Sequence, residues 1–368
     1  MRIQAIETIP VAVPLTKPFK TALRTVTTAY AIYVKVTTDD GRAGWGESPP
    51  THVITGDSLG SITYAIEEVI APLLVGLDVR NREEVFHLLK RSIVRNTSAK
   101  AAVDMAIHDL LGQLAGLPLY QLLGGFREKI ETDFTVSVND AVEMADDAER
   151  YIADGFNVLK VKVGIGDIGE DIARIQAIRE RVGSTPKIRL DANQGWKPKE
   201  AVFAIGKMED AGLDIELIEQ PVAADDVDGL AYVTNHTLTP IMADESVFSA
   251  KDALRALQLR AADLINIKLM KSGGIHEALK INALAEMYGV ECMVGSMIET
   301  KLGITAAAHL AASQPNITRF DFDAPLMLAE DIVAGGIVYE GRVIRLPEGP
   351  GLGLDQEAMG LIRKVEGQ

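Results

Sequence analysis

The chain has 368 residues, which exceeds one typical domain and fits a barrel of about 250 residues together with a smaller domain. Its 37 basic and 52 acidic residues give a formal net charge of −15. Because so acidic a surface is repelled by phosphate backbones and anionic membranes, and because no lysine- and arginine-rich run occurs, we expect neither nucleic acid nor a membrane as a partner.

Cysteine content and the first residues bear on the compartment. Cys292 is the single cysteine, so no disulfide forms within the chain, which is typical of a reducing compartment. The N-terminal residues lack the basic start and unbroken apolar stretch of a signal peptide, and no run of about 20 apolar residues occurs. We therefore expect a cytoplasmic protein.

The N-terminal region is predicted to combine a small sheet with helices. The segments 16–28 and 52–58 show no clear periodicity and are predicted to be loops, the first of them long. Residues 99–116 have helical periodicity and strong helix formers, and the closing glycine predicts the helix stop. Three runs alternate apolar and polar residues, which is typical of antiparallel strands: 3–7, 31–36 and 43–47.

From about residue 126, short β-branched runs alternate with helical stretches, and the runs start 24–29 residues apart. Strand–helix–strand repeats predict a parallel sheet, and eight of them predict an α/β fold of the (β/α)8, TIM-like barrel type. An open doubly wound sheet is the alternative, but it usually has fewer strands and a glycine-rich first turn, and no GxGxxG motif occurs. The predicted strands are residues 132–138, 158–163, 187–191, 215–219, 240–244, 264–268, 291–295 and 318–323.

These patterns predict three parts of the chain. Residues 1–125 are expected to form an N-terminal α+β domain, and residues 126–323 are expected to form the barrel. Residues 324–368 carry short strand and turn patterns. Because the eight barrel strands are already used, we expect this last segment to pack back on the N-terminal domain.

Three consecutive barrel strands are predicted to end in a carboxylate: Asp191, Glu219 and Asp244. Neighbouring strands lie about 4.8 Å apart and parallel strands end at the same rim, so these side chains should converge. Clustered, partly buried carboxylates repel one another, and a divalent cation relieves that repulsion. All-oxygen ligation favours a hard ion, and we predict one Mg²⁺ per subunit.

The alternatives to a magnesium site are zinc and no metal at all. None of the six histidines falls at the end of a predicted strand, which argues against zinc. One such acid alone would more commonly be a solvated loop residue or a helix N-cap. The repetition on three consecutive strands favours the metal.

Two groups of lysines flank the carboxylates in strand order. Lys160 and Lys162 share one side of the second strand because side chains alternate, and Lys268 ends the sixth. We interpret Lys162 and Lys268 as catalytic residues on opposite faces of the substrate; ion pairs with the carboxylates are the alternative, and the two are compatible. A metal and a lysine ammonium group would stabilise the enediolate that forms when a carboxylate substrate loses its α-proton, so proton transfer across the two faces would invert that carbon.

Through these residues the chain resembles the enolase superfamily, whose members use a lysine or histidine base with Mg²⁺. The motif Lys160-Val161-Lys162 and Lys268 resemble its muconate-lactonising subgroup, since the mandelate-racemase branch has a His–Asp dyad in place of Lys268. The resemblance covers the whole chain, including a capping domain whose loops close the barrel mouth. It implies one of four activities: muconate cycloisomerase, o-succinylbenzoate synthase, N-acylamino acid racemase or dipeptide epimerase.

The residues that distinguish these four activities favour a dipeptide epimerase. Asp321 and Asp323 alternate at the end of the eighth predicted strand and resemble the pair with which dipeptide epimerases hold the free α-ammonium group. The alternative is a structural pair satisfied by Arg319 or by the backbone. The segment 14–25, PLTKPFKTALRT, resembles L-Ala-D/L-Glu epimerases, which implies that Arg24 pairs with the glutamate side chain.

The same resemblance implies that further residues bind the substrate, namely Thr135, Lys160, Ser296 and Ile298. The sequence thus predicts a Mg²⁺-dependent isomerase that inverts the second residue of L-Ala-D/L-Glu in murein peptide metabolism. Alternatives are an epimerase for dipeptides with a hydrophobic or cationic second residue, the other activities of the subgroup, and a non-catalytic ligand-binding barrel. The expected partner is a small-molecule dipeptide, and a homo-oligomer is left open.

Overall fold

The structure, a computed structural model, describes residues 1–362. Residues 363–368, which belong to the predicted C-terminal segment, lie outside the described residues. No helix in the described part is long and apolar enough to cross a membrane.

The N-terminal region begins with an antiparallel sheet of three strands in the order β1-β2-β3. The prediction of a long loop at 16–28 is wrong, because most of this segment belongs to β1 and β2 and only residues 21–24 connect the two strands. The pairing register shifts between Pro14 and Phe19, and such an irregularity disrupts the alternation on which the prediction depends. The strands are β1 Ile3–Lys20, β2 Thr25–Thr38 and β3 Ala43–Ser48.

Helices cover this sheet, and an apolar core lies between them. The predicted helix 99–116 is confirmed as α4, which ends at Gly116 with a left-handed φ of 67°. Strand β3 packs against α4 so closely that a Cβ on Gly46 would overlap the carbonyl oxygen of Ala102. The helices are α1 Leu59–Tyr64, a π-helical turn Ala65–Ile70, α2 Ala71–Leu74, α3 Arg82–Arg91, α4 Thr97–Ala115 and α5 Leu119–Leu122.

The barrel prediction is confirmed: eight parallel strands form one curled sheet in chain order. The backbone N–H of Asp133, just before the first barrel strand, donates to the carbonyl of Phe320 on the last strand at 3.3 Å. After a short strand β4 Lys129–Glu131, the barrel strands are β5 Phe134–Val136, β6 Val158–Lys162, β7 Lys187–Asp191, β8 Ile215–Glu219, β9 Ile241–Ala243, β10 Leu264–Ile267, β11 Glu291–Val294 and β12 Ile317–Phe320.

Helices connect these strands and surround the sheet. The last strand is followed by a 3-10 turn, Ala324–Met327, so Asp321 and Asp323 lie beyond the end of β12 and not within it as predicted. The helices are α6 Ala141–Ala153, α7 Ile168–Val182, α8 Pro198–Asp210, α9 Val227–His236, α10 Ala250–Gln258, α11 Leu269–Ser272, α12 Ile275–Met287 and α13 Lys301–Ser313.

The C-terminal segment contacts both parts of the molecule. Its strands β13 Val338–Glu340 and β14 Val343–Arg345 form a sheet with β4, and α14 spans Gln356–Met359. The N–H of Leu352 donates to Asp109 of α4 at 2.8 Å, and Trp45 of β3 donates to Gln356 at 3.0 Å. The domain boundaries given above stay a prediction.

Candidate active site

The parallel register brings the predicted site residues to one rim of the barrel. Lys162 pairs with Asp191 across β6 and β7, and Asp191 pairs with Glu219 across β7 and β8. Asp244 directly follows β9, and Lys268 directly follows β10. All of these residues stand at the ends of parallel strands on the same rim. Their spacing in the sequence is therefore enough to place them close together.

Ion pairs connect the buried carboxylates to lysines. The Nζ of Lys160 lies 2.7 Å from Glu219 Oε2 and 3.2 Å from Asp191 Oδ2. Lys162 lies 2.6 Å from the same oxygen of Asp191. Asp244 pairs with Lys268 at 2.8 Å and with Lys271 at 2.6 Å. The ion pairs that the sequence left as an alternative to catalysis are therefore present.

These pairs shift the pKa values of the carboxylates in opposite directions. Burial would raise the pKa of Asp191, but Lys162 and Lys160 outweigh it and lower that pKa to about 2. Burial and the neighbouring Asp191 raise the pKa of Glu219 to about 7. For Asp244, Lys268 and Lys271 outweigh burial and hold the pKa well below its ordinary value. The three carboxylates thus favour positively charged neighbours. Glu219 pairs with one lysine, whereas Asp191 and Asp244 each pair with two.

The same residues have the donor chemistry of a hard-metal site. As the side chains stand, the described residues hold no group of three His, Cys, Asp or Glu side chains arranged around one metal position, and Lys160 lies between Asp191 and Glu219. However, Glu219 Oε2 and both carboxylate oxygens of Asp244 are buried, and each faces a lysine Nζ at 2.6–2.8 Å without a hydrogen bond of suitable angle. Buried oxygens with unused lone pairs on adjacent strands fit a divalent cation such as Mg²⁺.

Lys162 and Lys268 stand on different sides of the barrel mouth, since three strands, β7 to β9, separate β6 from β10. Both residues are buried, with 6 % and 4 % of their surface exposed. The ring of Phe19, from the N-terminal sheet, lies 5.8 Å from the Nζ of Lys162. Both lysines line one pocket, so a single small molecule bound there would contact the two of them.

That pocket gathers every residue predicted to be catalytic or to bind substrate. It has an empty volume of about 540 Å³, part of it open to solvent. Such a volume suits a small-molecule ligand. Both the N-terminal region and the barrel line it, through Phe19, Thr21, Leu23, Arg24, Val53, Ile54, Thr135, Lys160, Lys162, Asn193, Lys268, Ser296, Met297, Ile298, Asp321, Asp323 and Ala324.

Asp321 and Asp323 form the most acidic part of the pocket wall. Lys160 donates to Asp321 at 2.7 Å, and the N–H of Thr135 donates to Asp323 at 2.6 Å. Burial and Asp321 raise the pKa of Asp323 to about 7. Arg319 does not serve this pair, because it bonds Glu216 and Glu291 outside the pocket. Of the structural alternatives for the two aspartates, the backbone contact is thus present and the Arg319 contact is not.

Arg24 reaches the pocket from the short connection between β1 and β2. Its backbone is held by Thr21, whose N–H donates to the Arg24 carbonyl at 2.9 Å. Burial lowers the pKa of the guanidinium group below its ordinary value. Among residues 1–362, no carboxylate lies within ion-pair distance of this group. A half-buried arginine in a pocket wall is suited to binding an anionic ligand.

Several residues around the carboxylates were not predicted from the sequence. Asn266 donates to Glu219 at 2.7 Å, and its position two residues before Lys268 on β10 was a signal, because alternate side chains share a face. Lys271 follows the strand within a short helix and carried no such signal. Asn193, which donates to Glu245 at 3.2 Å, has a left-handed φ of 41° and lines the pocket.

Comparison with known proteins gives the family. Residues 143–358 match the family described as "Enolase C-terminal domain-like", and residues 4–124 match "Mandelate racemase / muconate lactonizing enzyme, N-terminal domain". The chain belongs to the enolase superfamily. It is 64 % identical to the L-Ala-D/L-Glu epimerase of Bacillus subtilis over 96 % of this chain and 97 % of that protein.

Solved structures of enolase-superfamily proteins have the same fold. The substrate-liganded complex of the Bacillus subtilis L-Ala-D/L-Glu epimerase matches with a TM-score of 0.96, covering 96 % of this chain and 99 % of that one. A dipeptide epimerase from Enterococcus faecalis, complexed with Mg and L-Leu-L-Tyr, matches with a TM-score of 0.93 at 46 % identity, covering 96 % and 99 %. These relatives are epimerases, and the chain is an isomerase of that kind.

Proposed function

We propose that this enzyme is a Mg²⁺-dependent dipeptide epimerase that inverts the α-carbon of the second residue, with L-Ala-D/L-Glu as its preferred substrate. The observation that carries the proposal is one pocket lined by two buried lysines from separate sides of the barrel, a pair of aspartates and an arginine. The identity of 64 % to the L-Ala-D/L-Glu epimerase of Bacillus subtilis supports the same substrate class.

In the proposed mechanism, two lysines carry out the proton transfer. Lys162 in its neutral form takes the α-proton from one face of the substrate, and the ammonium group of Lys268 delivers a proton to the opposite face. The intermediate is an enediolate, and the ammonium group of Lys160 stabilises its negative charge. The product has the inverted configuration, and the two lysines have exchanged protonation states.

Asp191, Glu219 and Asp244 are the residues that would hold the metal. When bound, Mg²⁺ supplies positive charge that makes the α-proton next to a carboxylate more acidic. The burial of these three carboxylates and their places at the ends of three consecutive barrel strands support this assignment.

The two ends of the substrate are assigned to charged groups of the pocket. Asp321 and Asp323 bind the free α-ammonium group, and Asp323 has no lysine or arginine within ion-pair distance among the described residues. Arg24 binds the side-chain carboxylate of the second residue. Muconate has no ammonium group and an N-acylated amino acid has no free α-ammonium group, so Asp323 would stay without a cationic partner, which disfavours those alternatives.

The preference for glutamate over an apolar second residue is the finer part of the proposal. Enterococcus faecalis has a relative named hydrophobic dipeptide epimerase that is 46 % identical, so the family includes both preferences. Arg24, half-buried and without a carboxylate partner in the described chain, favours the anionic side chain. A role in murein peptide metabolism follows from the substrate and is part of the same proposal.

Replacing Arg24 with alanine is expected to lower kcat/KM for L-Ala-L-Glu by about 100-fold, because a charge-assisted bidentate contact is lost in a partly buried site. For L-Ala-L-Leu the same variant should stay within about 3-fold of the unchanged enzyme, since no charge is bound there. Appearance of the second diastereomer, followed by chiral chromatography for both dipeptides, measures the two values.

Arg24→Lys is the matched control. Its kcat/KM for L-Ala-L-Glu should fall between the values of the unchanged enzyme and of Arg24→Ala, because lysine keeps the charge without the planar geometry of arginine. Equal losses for both dipeptides would remove Arg24 from the specificity site. If the unchanged enzyme epimerises no dipeptide, the proposed function itself is wrong.

A further inference from the structure

A buried carboxylate of the N-terminal sheet caps a helix of the barrel. Glu47, on β3, is fully buried. Its Oε1 accepts from the backbone N–H of Thr300 at 2.8 Å. Its Oε2 accepts from the Thr300 hydroxyl at 2.6 Å and from the N–H of Gly303 at 2.8 Å. Glu47 therefore satisfies donors at the N-terminus of α13 that the helix itself leaves unpaired.

A second residue of the same sheet reaches the same point. Tyr33 on β2 is the cross-strand partner of Glu47 in the antiparallel pairing. Its hydroxyl lies 2.6 Å from Thr300 Oγ1, and this contact is buried. Thr300 is thus held from two neighbouring positions on one face of the N-terminal sheet.

The residues just before Thr300 form part of the pocket wall. Ser296, Met297 and Ile298 line the pocket, and Glu299 alone separates them from Thr300. The N–H of Met297 donates to Glu299 Oε1 at 2.9 Å, which folds this segment on itself. A displacement of Thr300 would therefore move the residues that are proposed to contact the substrate.

Gly303 makes the close approach of Glu47 to α13 feasible. A Cβ at this position would overlap Glu299 Oε2 and would come within 3.2 Å of Glu47 Oε2. The backbone of Gly303 is helical, so this position would accommodate an alanine if the two glutamates did not lie so close to it. The glycine thus allows both glutamates to lie against the first turn of the helix.

We propose that Glu47 is a positioning residue for substrate binding, which holds the pocket segment 296–300 in place by capping α13. Glu47 does not line the pocket, so it acts through Thr300 and not by contact with the substrate. The identity of that substrate rests on the proposed function, whereas the effect on the segment does not. The N-terminal sheet thereby sets the position of a barrel loop as well as supplying Arg24 from the connection between β1 and β2.

Glu47→Gln tests this role because the amide nitrogen cannot accept a hydrogen bond, so one backbone donor of α13 loses its partner. We expect KM for L-Ala-L-Glu to rise about 10-fold while kcat stays within about 3-fold. We also expect hydrogen–deuterium exchange of amides 296–303, measured by mass spectrometry without substrate, to be at least about 10-fold faster.

Asp104 offers a matched control, since it is another buried carboxylate of the N-terminal region at the start of a barrel helix. It accepts from the N–H groups of Ile275 at 2.6 Å and His276 at 3.3 Å, at the start of α12. No residue of α12 lines the pocket. Asp104→Asn should lower thermal stability but leave KM, and exchange in 296–303, within about 2-fold.

Gly303→Ala gives an independent test from the other side of the contact. It should reproduce the rise in KM and the faster exchange of Glu47→Gln, because the added Cβ overlaps Glu299 and crowds Glu47, and it tests the anchoring of the segment if Glu47→Gln does not fold. Unchanged exchange in the folded variants, or an equal rise in KM in Asp104→Asn, would overturn the positioning role. If the unchanged enzyme turns over no dipeptide while exchange responds as expected, the proposed function fails and the positioning of the segment stands.

Discussion

Alanine in place of either Lys162 or Lys268 is expected to lower the rate of epimerisation of L-Ala-L-Glu by about 10³-fold or more, because each lysine serves one face of the α-carbon. The variants should still fold. Asp191 would keep Lys160 at 3.2 Å, and Asp244 would keep Lys271 at 2.6 Å, so neither buried carboxylate is left without a cation. Polarimetry of the dipeptide over time measures the rate, and circular dichroism checks the fold.

The two single variants should also differ from one another. Each retains the lysine of one face, so each should exchange the α-proton of one diastereomer with solvent without forming the other. Lys162→Arg and Lys268→Arg are the charge-preserving controls, and they should be as inactive as the alanine variants because arginine does not act as a base near neutral pH. Full epimerisation by either alanine variant would contradict the two-base assignment.

Removal of divalent cations is expected to lower kcat by at least about 100-fold, because the charge that makes the α-proton acidic is lost. Dialysis against EDTA followed by titration with Mg²⁺ measures both the loss and the recovery. Asp244→Asn should weaken the recovery by raising the Mg²⁺ concentration needed for half activity, since one carboxylate ligand becomes a neutral amide.

Asp252→Asn is the matched control for the metal variant. Asp252 accepts from the Ser249 hydroxyl at 2.8 Å at the half-buried start of α10 and lies outside the group of three carboxylates, so the Mg²⁺ dependence of this variant should be unchanged. An enzyme that keeps its full rate after chelation would show that the three carboxylates do not form a catalytic metal site.

The eight barrel strands were predictable because each is a short apolar run that a helix separates from the next. The predicted runs overlap all eight observed strands, and the largest shift of a strand end is at the eighth, where pairing ends at Phe320 while the apolar and acidic alternation continues to Asp323. The hairpin of β1 and β2 was not predictable in full. Its register shift between Pro14 and Phe19 removes the alternation, while antiparallel pairing still holds the segment.

The site was predictable where it depends on strand register. Lys162, Asp191 and Glu219 occupy equivalent places on consecutive strands, and a period of two residues suffices to align them. The contact of Glu47 with Thr300 joins residues 253 positions apart in the chain, and no periodic pattern records it. The pairing of Lys271 with Asp244 likewise depends on how a loop and a short helix pack against the barrel.

The most direct measurement of the central claim is proton exchange at the second α-carbon in deuterated water. L-Ala-L-Glu is incubated with the enzyme and Mg²⁺, and proton NMR follows each α-proton. Proton transfer between Lys162 and Lys268 predicts that deuterium enters the second residue only, in both diastereomers, while L-Ala-D-Glu accumulates. No deuterium at that carbon, or deuterium in the first residue instead, would contradict proton transfer by Lys162 and Lys268 at the second residue.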